Sequence, residues 1–277
     1  MAPRSFPLMA YHNRLPPEHI NAQSGPWLAD LLRRLAMVVG VFAVLFWLLL
    51  LLLTELTRLT PFAWERTLTE QWQISSGTDS PAYLQTLTEQ IAQAGGLDPD
   101  ITFTLHRNNS EAINAYATLG GHIVIFDGLL CKMNSEQALA FVLAHELAHL
   151  HLRHPIRSAA QQLGLSLSVA LLFGQSNAGQ LAGLSGSLAL LSYSREFERE
   201  ADAWAYQALL RHYGHINGSG DLFEMISEQD AQTLSWLTTH PHSDHRQQRR
   251  LKLAEQHNWP TAGQLTPLKV GLLCNRD

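Results

Sequence analysis

The 277-residue sequence has only two cysteines, Cys131 and Cys274. Two distant thiols are too few for a thiolate metal site or a disulfide framework, although they could pair in an oxidising compartment. The chain also lacks an excess of positive charge: its formal net charge is −5, which disfavours nucleic acid as a partner. Charged residues make up 16% and hydrophobic residues 46% of the chain. This balance excludes a disordered protein and fits a folded protein with a membrane attachment.

One long segment contains no charged residue at all. It comprises the twenty residues 35–54, between Arg34 and Glu55, and a helix of that length spans about 30 Å, one hydrocarbon core. Because the preceding 34 residues are long for the start of a signal peptide, we expect a retained single-pass anchor. Arginines are more frequent before this segment than just after it. The positive-inside rule therefore predicts a cytoplasmic N-terminus and, in a bacterium, an inner-membrane protein with a periplasmic catalytic part.

The sequence divides into five segments by composition. Ser80-Pro81 is typical of a helix start, and Gly95-Gly96 of a helix end. We expect an arm, a transmembrane helix, a juxtamembrane linker that contains a helix, a main domain and a C-terminal tail, at residues 1–34, 35–54, 55–79, 80–257 and 258–277.

Alternating apolar residues predict strands in the first half of the main domain. Residues 101–106 alternate as in a strand, and 113–130 predict a hairpin with its turn at Gly120-Gly121. Asn134, as N-cap, and Gln137, as its capping-box partner, predict the start of a helix that ends near Pro155.

Helices are predicted for the second half of the main domain. Residues 163–191 contain two apolar runs, each too short to span a bilayer. They predict a helical hairpin packed on the domain or, alternatively, a pair that dips into the membrane surface. Further helices are predicted at 194–213, ended by Gly214, and at 245–257.

The stretch AHELAHLHLRHP, residues 144–155, contains the motif HExxH. His145 and His149 are four residues apart and share a helix face, so both can bind one metal ion. Glu146 lies beside them, within reach of a metal-bound water, and such a set suits one zinc ion per chain. On a continuous helix His151 and His154 point to other faces. We therefore expect them to be solvated surface residues.

A third ligand is expected from SREFEREADAW, residues 194–204. Glu198 and Asp202 share one helix face, so that one can bind the metal while the other orients a metal-bound imidazole. Glu196 and Glu200 form the same kind of pair on another face. Spacing alone leaves the choice open.

Four stretches together resemble the zinc metallopeptidases grouped with HtpX heat-shock proteases, CAAX prenyl proteases and their quality-control relatives. These are HELAHLHLRH, YSREFEREADAWA, NAYATLGGHIVIFDGLL and THPHSDHR, within residues 80–256. The resemblance implies an α+β, mainly α-helical zincin-type metallopeptidase domain with a small sheet. It also implies Glu198 as the third zinc ligand, Asp202 as the orienting carboxylate and Glu200 as a surface residue. The resemblance further implies that His240, followed by Arg246, enters the active site and either stabilises the oxyanion or caps the zinc.

These assignments predict a membrane-anchored zinc endopeptidase that hydrolyses proteins or peptides in envelope quality control, with Glu146 as general base. The alternative is a chaperone-like or autoinhibited peptide-binding module with little turnover. A CAAX-type protease is disfavoured because only one firm span is present. The strand around residues 120–126 is expected to bind an extended substrate along a free edge. Its substrate-binding residues would be Gly121, His122, Ile123, Val124 and Ile125.

Overall fold

The computed structural model describes residues 27–71, 81–173, 193–227, 236–240 and 245–268. Within the chain, a first compact unit extends to Leu48 and a second begins at Leu49. Cys274, His242 and the whole second apolar run of the predicted hairpin, residues 181–191, lie outside the described residues.

Helix α1, Trp27–Leu59, is longer than the predicted segment 35–54 at both ends. Charged residues bounded the prediction, but charge does not end a helix: Asp30 and Arg33 lie within α1, 3.7 Å apart as an ion pair. Residues 27–57 are long and apolar enough to cross a membrane, and no other helix in the described part of the chain is. This helix is therefore a candidate membrane anchor.

Two helices follow α1. The juxtamembrane helix, α2, is Phe62–Thr69. Helix α3, Ala82–Gly95, ends at Gly96 in the left-handed conformation, φ 73°, as the Gly-Gly pair predicts. It buries Leu84, Leu87 and Ile91 in the core of the domain.

A three-stranded sheet comes next, with the order β1-β3-β2. Its strands are β1 Thr104–Asn108, β2 Ala115–Thr118 and β3 His122–Phe126. β2 and β3 form the predicted antiparallel hairpin, whereas β1 is parallel to β3 and begins three residues later than predicted. The prediction that residues 120–126 form a free edge is wrong, because β3 is the central strand of the sheet. Its uninterrupted apolar run Ile123-Val124-Ile125, fully buried, is typical of a strand covered on both faces.

Seven more helices are described, and several of them pack against α5. They are α4 Asp127–Leu130, α5 Glu136–His151, α6 His154–Phe173, α7 Arg195–Tyr213, α8 Asp221–Ser227, α9 Trp236–Thr239 and α10 Arg246–His257. Helix α5 is the centre of the domain: every residue from Gln137 to Leu150 is buried. The predicted helices at 194–213 and 245–257 are confirmed.

The start of α5 differs from the prediction by one residue. Ser135, not Asn134, is the N-cap, and its Oγ accepts from the Ala138 N–H at 3.2 Å. The Gln137 side chain donates to Thr266 Oγ1 at 3.2 Å and so forms no capping box. Residues of the predicted tail therefore pack on this helix end, and the Glu136 N–H donates to the Thr266 carbonyl at 2.9 Å.

The helical path of the chain breaks between the end of α5 and the start of the next helix. The helix ends at His151, and Arg153 has a left-handed φ of 57°. Helix α6 then begins at His154, with Pro155 in its first turn, where proline is well tolerated. Residues 144–155 therefore belong to two helices, not to one.

Candidate metal centre

Four buried side chains meet at one point in the domain. They are His145 and His149 from α5, Glu198 from α7 and His240 directly after α9, and one ligand atom of each lies within 4.8 Å of all the others. The Nε2 atoms of His145 and His149 are 3.1 Å apart. Glu198 Oε2 is 3.4 Å from His145 Nε2, and Glu198 Oε1 is 3.5 Å from His149 Nε2. The structure thus brings together all three predicted zinc ligands.

Local structure explains why Glu198 rather than Glu196 enters the cluster. Ser194 caps α7 by accepting from the Phe197 N–H at 3.2 Å, and the face of the first turn that carries Phe197 and Glu198 is buried. Glu198 is 2% exposed. Glu196 instead forms an exposed ion pair with Arg199 at 2.8 Å.

His240 is held by the short helix α9. Its ring stacks on the buried ring of Trp236, with the ring centroids 4.1 Å apart. Its Nδ1 is 3.0 Å from Glu198 Oε1, whereas its Nε2 is 3.4 Å from Glu146 Oε1. His240 therefore lies between the ligand carboxylate and the predicted general base.

Asp202 and Arg246 form an ion-pair network behind the ligands. Asp202 Oδ1 is 3.1 Å from His145 Nδ1, so the predicted orienting carboxylate lies beside a predicted ligand. Arg246 donates to both Asp202 oxygens, at 2.5 and 2.9 Å, and lies 2.9 Å from Glu198 Oε2. Burial alone would raise the pKa of Asp202, but Arg246 and His145 outweigh it and hold that pKa below its usual range. The sequence indicated Arg246 only by its spacing from His240.

His154 is the main site residue that the sequence analysis missed. It was expected on the solvated surface, but it is fully buried, and its Nδ1 lies 2.9 Å from Nδ1 of His149. Its Nε2 faces Glu200 Oε2 at 2.9 Å. The prediction assumed one continuous helix, and the break at Arg153 turns His154 back towards the cluster. Burial lowers the pKa of His154 to about 4, so the ring is neutral at neutral pH.

Two more residues expected on the surface have specific partners. The Glu200 side chain keeps 38% exposure, in line with a surface residue, and pairs with both His154 and Arg157. His151 is half-buried, and its Nδ1 accepts from the Asp98 N–H at 3.3 Å.

The residues present fit a divalent metal ion. Imidazole nitrogens and a carboxylate are suitable ligands for zinc. Glu146 and Glu198 are buried, yet both Glu146 oxygens and Glu198 Oε2 lack a hydrogen-bond donor at good geometry among the described residues. Burial would lower the pKa of His145, but Glu198 and Asp202 raise it to about 9. Metal binding at this cluster should therefore displace a proton.

Strand β2, and not the predicted substrate strand β3, forms the edge of the sheet beside this cluster. Tyr116 of β2 pairs with Val124 of β3, and in this register the N–H and C=O groups of Ala115 and Ala117 point away from β3. The Ala115 carbonyl is 3.3 Å from His240 Nε2, and the Ala117 carbonyl accepts from the Tyr193 hydroxyl at 2.8 Å. The residues predicted to bind substrate lie on the central strand and its turn instead: Gly121, His122, Ile123, Val124 and Ile125.

Comparison with known proteins identifies the family. The model of peptidase family M48 matches residues 79–253. The chain belongs to this family. The predicted metallopeptidase class, and the resemblance on which it rested, are thereby confirmed.

Individual relatives are similar over the same region. The beta-barrel assembly-enhancing protease of Yersinia pestis is 31% identical over 181 residues, covering 59% of this chain and 37% of that protein. The mitochondrial metalloendopeptidase OMA1 of Schizosaccharomyces pombe is 30% identical over 175 residues, covering 59% and 50%. Metalloprotease YcaL of Escherichia coli is 29% identical over 146 residues, covering 49% and 56%. The chain thus matches roughly a third to just over half of these relatives' lengths.

Proposed function

We propose that this M48 peptidase is a membrane-anchored, zinc-dependent endopeptidase in the quality control of envelope proteins. The observation that carries the proposal is the buried convergence of His145, His149 and Glu198, with Glu146 directly beside them. Two of the relatives carry names that support the role, one in β-barrel assembly and one in mitochondrial proteolysis. Helix α1 would be the anchor, with the N-terminus in the cytoplasm and the catalytic part outside it.

His145, His149 and Glu198 would hold the zinc ion in a zincin-type arrangement. When bound, zinc supplies Lewis acidity, which lowers the pKa of a coordinated water and polarises the scissile carbonyl. Burial raises the pKa of the Glu146 carboxyl, against the opposing charges of His240 and His145. A carboxylate of raised pKa is a stronger base at neutral pH, so Glu146 is suited to accept the proton of the nucleophilic water and pass it to the leaving amine.

The outer edge of β2 is the better candidate for binding an extended peptide. Its Ala115 and Ala117 backbone groups face the cluster and can pair with a substrate strand with little sequence preference. In this structure the His240 and Tyr193 side chains are hydrogen-bonded to the Ala115 and Ala117 carbonyls respectively. A substrate strand must displace both side chains before it can bind.

The position of His240 favours a resting state over an oxyanion-stabilising role. Its Nδ1 belongs to the ligand cluster, and its Nε2 contacts both Glu146 and the β2 edge. A capped site of this kind also fits the second candidate, a peptide-binding module with little turnover. The rate of substrate hydrolysis distinguishes the endopeptidase from the peptide-binding module.

The Glu146→Gln variant, in full-length protein in detergent, tests the proposal. We expect hydrolysis of an unfolded protein substrate to fall at least about 10²-fold because the general base is lost, while one zinc per chain is retained. Glu196→Gln, at an exposed position on α7, is the matched control and should keep full activity. Unchanged hydrolysis in Glu146→Gln would contradict the endopeptidase mechanism. Zinc that persists in His149→Ala would contradict the metal site.

A further inference from the structure

The second nitrogen of His149 contacts another histidine rather than a carboxylate. His149 Nε2 faces the ligand cluster, and its Nδ1 lies 2.9 Å from His154 Nδ1. A neutral imidazole that binds a metal through one nitrogen carries its proton on the other. The Nδ1–H of His149 therefore donates, and Nδ1 of His154 accepts.

That direction fixes the next hydrogen bond. Because His154 Nδ1 is an acceptor, its proton lies on Nε2, which donates to Glu200 Oε2 at 2.9 Å. Arg157 is 3.4 Å from the same oxygen. The two predicted ligand histidines of α5 thus have different supports: His145 meets Asp202 directly, and His149 reaches Glu200 through one intervening imidazole.

Aromatic stacking holds the imidazole rings of His149 and His154 in place. The His154 ring is parallel to Phe197, with centroids 4.2 Å apart and an interplanar angle of 5°. The His149 ring stacks on Tyr193 at 3.9 Å and 17°. Both histidines are fully buried, and only Glu200 reaches solvent. The hydrogen bonds therefore connect a partly exposed carboxylate to a buried ligand through rigid groups.

We propose that His154 and Glu200 are positioning residues of the metal centre, which fix the tautomer and ring orientation of His149 and so set how tightly zinc is held. The inference rests on the proposed zinc site. It assigns a role to a histidine outside the HExxH motif and to the glutamate that the motif comparison left on the surface. Loss of such a partner typically weakens metal binding about 10–100-fold.

Substitutions of His154 separate hydrogen bonding from packing. His154→Phe keeps a ring against Phe197 but offers His149 no acceptor, so we expect zinc affinity to fall about 10–100-fold. His154→Asn places an amide oxygen near the former Nδ1 and should recover most of that loss, although it packs less well. A role in packing alone predicts the opposite order. Glu200→Gln keeps an acceptor for His154 without the charge and should give a smaller loss.

The experiment measures zinc affinity by chelator competition, and zinc release by stopped flow, on full-length protein in detergent. The visible spectrum of the cobalt-substituted protein adds a direct probe of ligand geometry. Glu196→Gln on the same helix is the control and should match wild type. Wild-type affinity in His154→Phe, or an Asn variant no better than Phe, would overturn the proposal.

Two further outcomes keep the test decisive. If His154→Phe does not fold, the partly exposed Glu200→Gln decides: faster zinc release supports the proposal and unchanged release overturns it. If wild-type protein binds no zinc at all, the proposed function itself fails. If wild type binds zinc and hydrolyses substrate while the His154 and Glu200 variants match it, only this inference fails.

Discussion

The substitution Arg153→Met should destabilise the domain because it leaves the buried Glu65 carboxylate without its positively charged partner. Glu65 on α2 is 1% exposed, and Arg153 Nε lies 2.8 Å from its Oε1. The other Glu65 oxygen accepts from the Gly120 N–H at 3.4 Å, and Arg153 also donates to the Thr60 carbonyl at 3.0 Å. One ion pair thus joins the juxtamembrane helix, the break between α5 and α6 and the turn before β3.

Breaking a buried pair by removing one partner typically costs about 3–5 kcal/mol. Because the Arg153 side chain keeps 17% exposure, we expect the lower end, about 3 kcal/mol in the free energy of unfolding. For a unit of this size that corresponds to a fall of about 6–12 °C in the unfolding midpoint. Methionine is unbranched, replaces the aliphatic part of the arginine side chain and adds no new charge, so the effect mainly reports the lost pair.

The loss should depend on pH in a defined direction. Burial raises the pKa of Glu65 above its usual value, and Arg153 opposes that rise. Without Arg153 the pKa rises further. A folded-state pKa above the unfolded one costs stability as pH rises, so the deficit of the variant should be small near pH 4.5 and largest at pH 8.

Thermal unfolding of wild type and Arg153→Met across this pH range, in detergent, makes the measurement. Arg199→Met breaks an exposed ion pair and is the matched control, with an expected change within about 0.5 kcal/mol. A deficit below about 1 kcal/mol at pH 8, or one that does not change with pH, would refute the reasoning.

Three further predictions concern the metal centre and the sheet. His240→Ala should raise hydrolysis because it frees Glu146 and the Ala115 carbonyl; a fall of about 10²-fold would instead indicate an oxyanion donor. Chelation should lower the free energy of unfolding by about 2.7 kcal/mol relative to protein at free zinc a hundred times its dissociation constant, and so lower the unfolding midpoint; an unchanged midpoint would contradict a structural contribution of the ion. Gly121→Ala should cost about 2–4 kcal/mol in chemical unfolding, because φ is 83° and a Cβ would clash with the Thr102 carbonyl oxygen; a loss below about 1 kcal/mol would show that the residues before β1 can move aside.

The parts of the site that depend on local spacing could be predicted from the sequence. His145, Glu146 and His149 occupy one turn and a half of a single helix, so their relative positions follow from helix geometry alone. Helix spacing alone does not select Glu198 over Glu196, because each has a carboxylate four residues later, at Asp202 and Glu200 respectively. The choice follows from how α7 is capped and packed against α5, which is tertiary information.

His154 shows where reasoning from a helical wheel fails. Its angular position relative to His145 was correct for a continuous helix, but Arg153 adopts a left-handed conformation and a new helix begins at His154. Pro155 was the available signal, since proline is favoured in a first turn as well as after a helix end. The predicted helix end near Pro155 rests only on the second of these. In the same way, the apolar strand at 122–126 was correctly located, but its central place in the sheet depends on pairing with β1, which no local pattern encodes.

The two side chains that cover the β2 edge are linked to each other. Tyr193 covers the Ala117 carbonyl, and its own backbone N–H donates to the Thr239 carbonyl at 3.1 Å, one residue before His240. Thr239 in turn donates through Oγ1 to Asn114 Oδ1 at 3.3 Å, directly before β2. One displacement of α9 would therefore loosen both contacts together and expose the edge in a single step. A substrate strand that pairs with this edge, as proposed, must separate both His240 and Tyr193 from β2, and the hydrogen bonds through Thr239 link the two separations.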